Sequence, residues 1–247
     1  MPEGDALHRT AERLRVLEGE VVAAHSPNPR AALLGIAARI DGRRLEHVEA
    51  RGKNLLLTFE DGVVLRSHLR MRGRWSVLPA DRPVLGRPWL VLRAARWQAV
   101  QRNGPVLEFG ASRLSRLGPD IMSSPPALDD MVAGFRQADQ GRELGEALLD
   151  QKLVAGIGNK WRAEALFEVS LSPWRRLGDV MDDELRGVLV AASRLMRGPA
   201  LGRAVYRRTG RPCRRCGTPI ASRPQGDNAR MAYWCPSCQA GTEAAGA

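Results

Sequence analysis

No cysteine precedes Cys213 in this 247-residue chain, and lysine is scarce throughout. Of 38 basic residues only Lys53, Lys152 and Lys160 are lysines. A disulfide framework is therefore excluded for most of the chain. No apolar run approaches the ~20 residues that a membrane-spanning helix needs, so a soluble chain is expected. The start has no charged stretch followed by an apolar one, so a secretory leader is not expected. The lysine shortage makes each survivor informative, because arginine cannot give up its proton and lysine can. Acids are short as well: 27 against 38 bases give a net charge of +11. Apolar residues make up 44%, enough for a real core, so this charge is not that of a disordered tail. A folded chain this basic favours nucleic acid as its partner.

What cysteine there is falls into two pairs, Cys213-Arg-Arg-Cys216 and Cys235-Pro-Ser-Cys238, with eighteen residues between them. Each pair can place two thiolates on one tetrahedral ion, and together they complete a closed Cys₄ site for one Zn²⁺. Two disulfides, or four thiols with no joint role, are the alternatives. A closed site leaves no position for substrate, so such a zinc is structural and holds a small finger with too few apolar residues to fold alone. From 203 to 230 the finger carries Arg203, Arg207, Arg208, Arg211, Arg214, Arg215, Arg223 and Arg230 against one acid, Asp227. That surface is either merely solvated or built for phosphates.

The chain reads as an α+β multidomain protein. Leu7, Ala11, Leu14 and Leu17 recur at helical spacing, so residues 5–17 form an amphipathic helix ended by Gly19. Alternating or apolar runs follow at 21–24, 44–50, 54–59, 63–68, 73–77, 89–93, 98–101 and 106–109. Asp61-Gly62 and Asn103-Gly104 read as hairpin turns. Residues 1–118 are thus a β-sandwich with a leading helix. Three prolines and two serines mark 119–128 as a linker. A helical domain is expected over 129–203, with helices at 144–153, 160–169 and 182–196. Val154-Ala-Gly-Ile-Gly-Asn159 joins the first two as a helix–two-turn–helix. The β-hairpin zinc finger follows at 204–239, and 240–247 form a disordered tail.

In order along the chain, these pieces resemble the formamidopyrimidine-DNA glycosylase / endonuclease VIII family of base-excision repair enzymes. Met1-Pro2-Glu3-Gly4-Asp5 resembles its N-terminus. Arg51-Gly52-Lys53-Asn54-Leu55-Leu56 resembles its R-G-K-x-L-L strand, and His68-Leu69-Arg70-Met71-Arg72-Gly73 its H-x-x-M/L-x-G loop. Leu149-Asp150-Gln151 through Asn159, with Glu164-Ala165-Leu166-Phe167, is similar to the helix–two-turn–helix signature. Val205-Tyr206, Pro212-Cys213 and Arg230 through Gln239 resemble the finger. The resemblance implies a DNA glycosylase and abasic-site lyase. It works on damaged double-stranded DNA, with single-stranded or bubble DNA left open. It also implies a monomer in a bacterial-type cytoplasm, associated with the nucleoid.

The resemblance further implies roles. Removal of Met1 frees the secondary amine of Pro2, and α-amino groups titrate near 7.7–8.0, so a usable fraction is neutral at pH 7. That amine attacks C1′ of a flipped-out nucleotide. Glu3 protonates the sugar or the departing base, unless it is only an acid placed well for a helix N-terminus. Lys53 assists β-elimination and binds a phosphate. Asn159 closes the phosphate-binding junction, or caps the helix after it. Arg230 clamps the lesion's phosphates and aids δ-elimination. Met71, between Arg70 and Arg72, fills the hole left by the extruded base. Arg116 contacts DNA.

Two features divide the family's branches. Pro2-Glu3-Gly4-Asp5 resembles the endonuclease VIII start. Only about eight residues join Met196 to Val205, which is too short for the glycine-rich lid that the other branch closes over 8-oxoguanine. Oxidised pyrimidines are therefore the expected lesions. An oxidised-purine enzyme and a DNA-binding protein without catalysis stay open as alternatives. Where the purine branch carries N-D-x-R-R-F-G with two further fillers, this chain has Val106-Leu107-Glu108-Phe109-Gly110.

Overall fold

The computed structural model describes residues 2–104, 106–199, 202–239 and 241. Two compact units divide it, 1–115 and 116–247. No helix among the described residues is long and apolar enough to cross a membrane.

In the first unit, α1 (Gly4–Leu14) continues as a 3₁₀ turn through Leu17. Leu7, Ala11, Leu14 and Leu17 are buried, as their spacing predicts. Strands β1 (Ala23–His25), β5 (Arg74–Pro79), β6 (Leu90–Arg93) and β7 (Trp97–Arg102) form one antiparallel sheet in the order β1-β6-β7-β5. Strands β2 (Leu45–Arg51), β3 (Asn54–Phe59), β4 (Val63–His68) and β8 (Val106–Phe109) form the other, in chain order. Leu55, Leu57 and Leu65 from one sheet share a core with Leu90, Leu92 and Ala99 from the other. Burying both inner faces together is what makes this pair of sheets a sandwich.

Two expectations need correction here. Asn103-Gly104 does not close a hairpin. It follows β7, and β8 then pairs with β4 instead, so the chain changes sheets at this point. Asn103 does adopt the positive φ (52°) that the dipeptide suggested, but local turn chemistry cannot say which sheet receives the next strand. Two short helices, α2 (Pro29–Ala32) and α3 (Ile36–Ile40), escaped the periodicity reading. One turn of helix is too short to show a period. Asn28 caps the first of them, its side-chain oxygen accepting from the Arg30 and Ala31 amides.

The second unit holds α4 (Leu128–Gln137), α5 (Leu144–Ala147), α6 (Asn159–Glu168) and α7 (Asp182–Arg197), then the hairpin β9 (Ala221–Gln225) and β10 (Arg230–Trp234). The helix expected at 144–153 stops at Ala147. Asp150 accepts from the Lys152 amide and begins a run of turns in place of more helix. Residues 119–128 lie against the helices: Ile121 is fully buried and bonds backbone to backbone with Ala155. Of the expected tail, 240 and 242–247 lie outside the described residues.

Candidate functional site

Met1 lies outside the described residues. Pro2 and Glu3 precede α1, with Glu3 at its N-cap in extended backbone (φ −117°) and its carbonyl accepting from the Ala6 and Leu7 amides. Glu3 is only 3% exposed. Helix α1 packs on β2 and β3. Those two strands are joined by a two-residue turn, Gly52-Lys53, with Arg51 paired to Asn54. Gly52 takes φ +58°, which a side chain resists, and Lys53 is half-buried at the turn.

The loop after β4 is built around His68. Its Nδ1 accepts from the Arg70 amide at 3.0 Å, and Arg70 sits in the left-handed region at φ +50°. Nδ1 is thus the acceptor, so the neutral ring carries its proton on Nε2. Burial holds the imidazole down to about 4, helped by the Arg70, Arg66 and Lys53 cations. Gly73 closes the loop: its amide bonds the Leu69 carbonyl, and a Cβ there would stand 2.5 Å from that oxygen. Met71 projects between, 60% exposed, with Arg70 and Arg72 also exposed. Residues 106–110 present no such loop. Glu108 lies in β8 and ion-pairs with the buried Arg66 of β4, which also bonds Asn54 at 2.6 Å. Arg116, exposed, ends a short 3₁₀ turn.

In the second unit Asn159 is not the cap of α6. Gly158 holds that position, and the Asn159 side chain turns elsewhere. Its Nδ2 donates to the Met231 carbonyl at 3.0 Å, and its Oδ1 accepts from Arg162 at 2.5 Å. Arg162, 1% exposed, also donates to the Gly145 carbonyl, the Gln225 Oε1 and the Arg230 and Met231 carbonyls. Asn159 and the start of β10, where Arg230 is exposed, are thereby held as one piece. The two-turn junction has its own brace. Gln151 donates to the Leu149 and Ile157 carbonyls and accepts from the Gly156 amide.

The four cysteines converge. Their sulfurs all lie within 4.8 Å of one another, with 3.9 Å between Cys213 and Cys238 and 3.5 Å between Cys216 and Cys235. A tetrahedron of thiolates with Zn–S of about 2.3 Å has edges of about 3.8 Å, so the donor set fits zinc. Without a cation the thiols contend for protons. Thr218 hydrogen bonds draw Cys216 down to about 6, while its bond to Cys216, then burial, pushes Cys238 up to about 12. Burial pushes Cys235 up too. A bound divalent cation relieves this by taking all four as thiolates.

Sequence reasoning missed the residues that seat the finger. Glu164 is buried in α6 and accepts from the Ala204, Val205 and Tyr206 amides, fixing where the finger begins. The finger's apolar patch, Val205, Ile220, Cys213 and Cys235, packs on Ala163 and Phe167 of the same helix. Polar residues on a helix usually signal a solvated face. Here every residue from Trp161 to Phe167 is buried, because α7 covers one side and the hairpin another.

Residues 1–113 match the family model described as the formamidopyrimidine-DNA glycosylase N-terminal domain, and 117–203 match the formamidopyrimidine-DNA glycosylase H2TH domain. The chain is 36% identical to a probable endonuclease 8 2 of Streptomyces coelicolor, over 98% of this chain and 95% of that one. It is 32% identical to the DNA-(apurinic or apyrimidinic site) lyase Nei2 of Mycolicibacterium smegmatis, over 97% and 99%. Among solved structures, the Lactococcus lactis Fpg (MutM) in complex with N7-benzyl-Fapy-dG DNA superposes with a TM-score of 0.80. It shares 21% identity, over 97% of this chain and all of that one, and so shares the fold.

Proposed function

The chain belongs to the formamidopyrimidine-DNA glycosylase family, and from that premise we propose that it is a bifunctional DNA glycosylase and abasic-site lyase that removes oxidised pyrimidines. The observation that carries this reading is the Pro2–Glu3 start: a secondary amine, once Met1 is removed, next to a carboxyl buried at the head of α1.

The steps follow from those groups. The neutral Pro2 amine adds to C1′ of the flipped nucleotide, and the sugar ring opens as its ring oxygen takes a proton from Glu3. The C1′–N bond to the base breaks, the base leaves with its bonding electrons and a proton, and a Pro2–C1′ iminium remains. Loss of a C2′ proton then expels the 3′-phosphate, and loss of a C4′ proton expels the 5′-phosphate. Water releases Pro2. Lys53 holds the phosphate next to the lesion and assists the first elimination; Arg230 and Asn159 hold phosphates from the second unit. Arg70, Met71 and Arg116 contact the duplex, with Met71 filling the vacated stack. A zinc held by Cys213, Cys216, Cys235 and Cys238 keeps the hairpin folded and takes no part in the chemistry.

Borohydride trapping tests the reading. The wild-type protein incubated with abasic duplex and reductant yields a stable adduct at the N-terminus. Pro2→Gly keeps DNA binding and loses most of the adduct. A full adduct from protein that retains Met1 overturns the assignment of Pro2.

A further inference from the structure

The eight arginines of the finger do not form one surface. Arg215 turns inward, donating to the Phe167 carbonyl at 2.7 Å, the Ser170 hydroxyl at 3.1 Å and the Glu168 carbonyl at 3.1 Å. Arg223 lies on β9 and Arg230 begins β10. The other five, Arg203, Arg207, Arg208, Arg211 and Arg214, line a single open concavity of about 430 Å³ together with Gly202. Among the described residues no carboxylate lines it.

Elsewhere in the same unit arginines are matched with acids: Arg142 with Glu146 and Asp150, Arg175 with Glu184, Arg186 with Asp129, Arg194 with Glu168. Among the described residues none of the five pocket arginines makes an ion pair. Four of the five have neutral partners instead. Arg203 and Arg207 lie at the Tyr206 ring, 5.4 and 5.5 Å from its centroid. Arg208 donates to the Pro212 carbonyl while its Nε is buried without a partner, and Arg214 donates to the Gly202 carbonyl. Five like charges held together without counter-charge repel one another, and the arrangement is relieved by an anion with several charges.

A second, smaller hollow shares Gly202 and Arg203 with this one and reaches Lys160 and Trp161, beside Asn159 at the start of α6. The Lys160 ammonium sits 3.6 Å from the Trp161 ring centroid. That hollow is also lined by Glu164, Glu168, Phe167 and Leu195, so the run of unmatched cations stops at Arg203 and the arginine pocket stands by itself. Five guanidinium groups around one open concavity suit a chain of phosphates better than a single ion.

We propose that the pocket of Arg203, Arg207, Arg208, Arg211 and Arg214 is a second phosphate-binding site, which takes the sugar-phosphate backbone of DNA that runs on beyond the lesion. The site extends the DNA-binding reading above, but it acts on any sequence and requires no damage. It supplies grip on undamaged duplex, and so the search that precedes base extrusion.

The test uses the metal-loaded full chain and undamaged duplex, so loss of catalysis does not obscure it. Arg203→Ala, Arg207→Ala and Arg211→Ala are combined; all three side chains are exposed. The control variant removes equal charge elsewhere through Arg43→Ala, Arg186→Ala and Arg194→Ala. Affinity is measured from about 50 to about 200 mM salt, and the slope of log affinity against log salt is expected to shrink by about two to three for the pocket variant only. Affinity at the upper salt is expected to fall about tenfold or more. On an abasic duplex trimmed to the lesion and its immediate neighbours, the variant binds and is trapped by borohydride as the parent is. Equal slopes for pocket variant and parent overturn the site. Equal losses on long and trimmed duplexes overturn its placement beyond the lesion. If the parent gives no adduct at all, the proposed catalysis fails while the salt slopes still decide the pocket.

Discussion

Asn159 and Met231, 72 positions apart, are joined by a hydrogen bond of 3.0 Å from the asparagine amide to the methionine carbonyl. It ties the first residue of α6 to the strand that begins with Arg230. Arg162 completes the connection, with five acceptors drawn from α5, α6, β9 and β10. Hydrogen bonds to a charged donor contribute about 1.5–3 kcal/mol each, and acceptors left without a partner add their own cost.

Arg162→Leu is therefore expected to destabilise the second unit by about 3 kcal/mol or more, and Asn159→Ala by about 1–2 kcal/mol. Thermal unfolding followed by tryptophan fluorescence reads this, because Trp174 and Trp234 pack edge to face at 5.1 Å in that unit. An unchanged melting curve for Arg162→Leu would show that the hairpin is held by the metal and its apolar patch alone.

His68 gives a pH prediction. Its folded value of about 4 lies below the ordinary 6.5, so between those limits the unfolded chain binds the extra proton. Stability contributed by the neutral ring is complete above about 6.5 and is lost as pH falls towards about 4. His68→Gln is expected to flatten that part of the curve of melting temperature against pH. It also leaves the pH–rate profile of strand cleavage near neutrality without a His68 limb, since the imidazole is already neutral there. A limb near pH 6.5 that vanishes in His68→Gln would contradict the burial argument.

Cys235→Ser is expected to release the metal and unfold the hairpin that carries Arg230, with the β-sandwich intact. Cys235 is fully buried at the centre of the finger's apolar patch, so a serine hydroxyl there has lost both its thiolate ligand and its packing. Metal content by absorption spectroscopy and DNA binding by anisotropy should fall together, and chelator treatment of the wild type should reproduce both. Full metal content with full binding would refute the four-thiolate site.

Much of the fold was written in local pattern. The strand runs at 54–59, 63–68 and 106–109 coincide with β3, β4 and β8 because alternation and turn residues act within a few positions. The cysteine pairs were equally plain, since C-x-x-C brings two sulfurs together wherever it occurs. What escaped notice depends on distant partners. Arg162 and Glu164 look like the polar face of a helix until the finger, some 40 to 70 residues later, is laid against them. Glu108 likewise had no reading in the sequence beyond its place in Val106–Gly110, where the purine branch carries its fillers. Only the β4–β8 register shows that it is the ion-pair partner of Arg66. The arginine pocket was half legible: composition gave the charge, but not which arginines turn inward and which five converge.

The substrate is the riskiest prediction, and it rests on enclosure. Helix α7 ends at Arg197 and the finger is already anchored at Ala204 by Glu164. That leaves six residues between them, of which 200 and 201 lie outside the described ones. Six residues reach at most about 20 Å fully extended, which leaves little chain for a closing lid. A flipped base is read by hydrogen bonds around its edge, each worth about 1 kcal/mol, so losing two or three contacts from a closing segment costs about 30- to 150-fold. Pyrimidines, being smaller, lose less. Single-turnover release of thymine glycol or dihydrouracil is thus expected to exceed release of 8-oxoguanine opposite cytosine by at least tenfold in the same duplex context. Faster 8-oxoguanine release would mean that the exposed loop around Met71, held by His68 and Gly73, encloses the base in the lid's place. The lesion preference would then lie in the first unit rather than in the short connection to the finger.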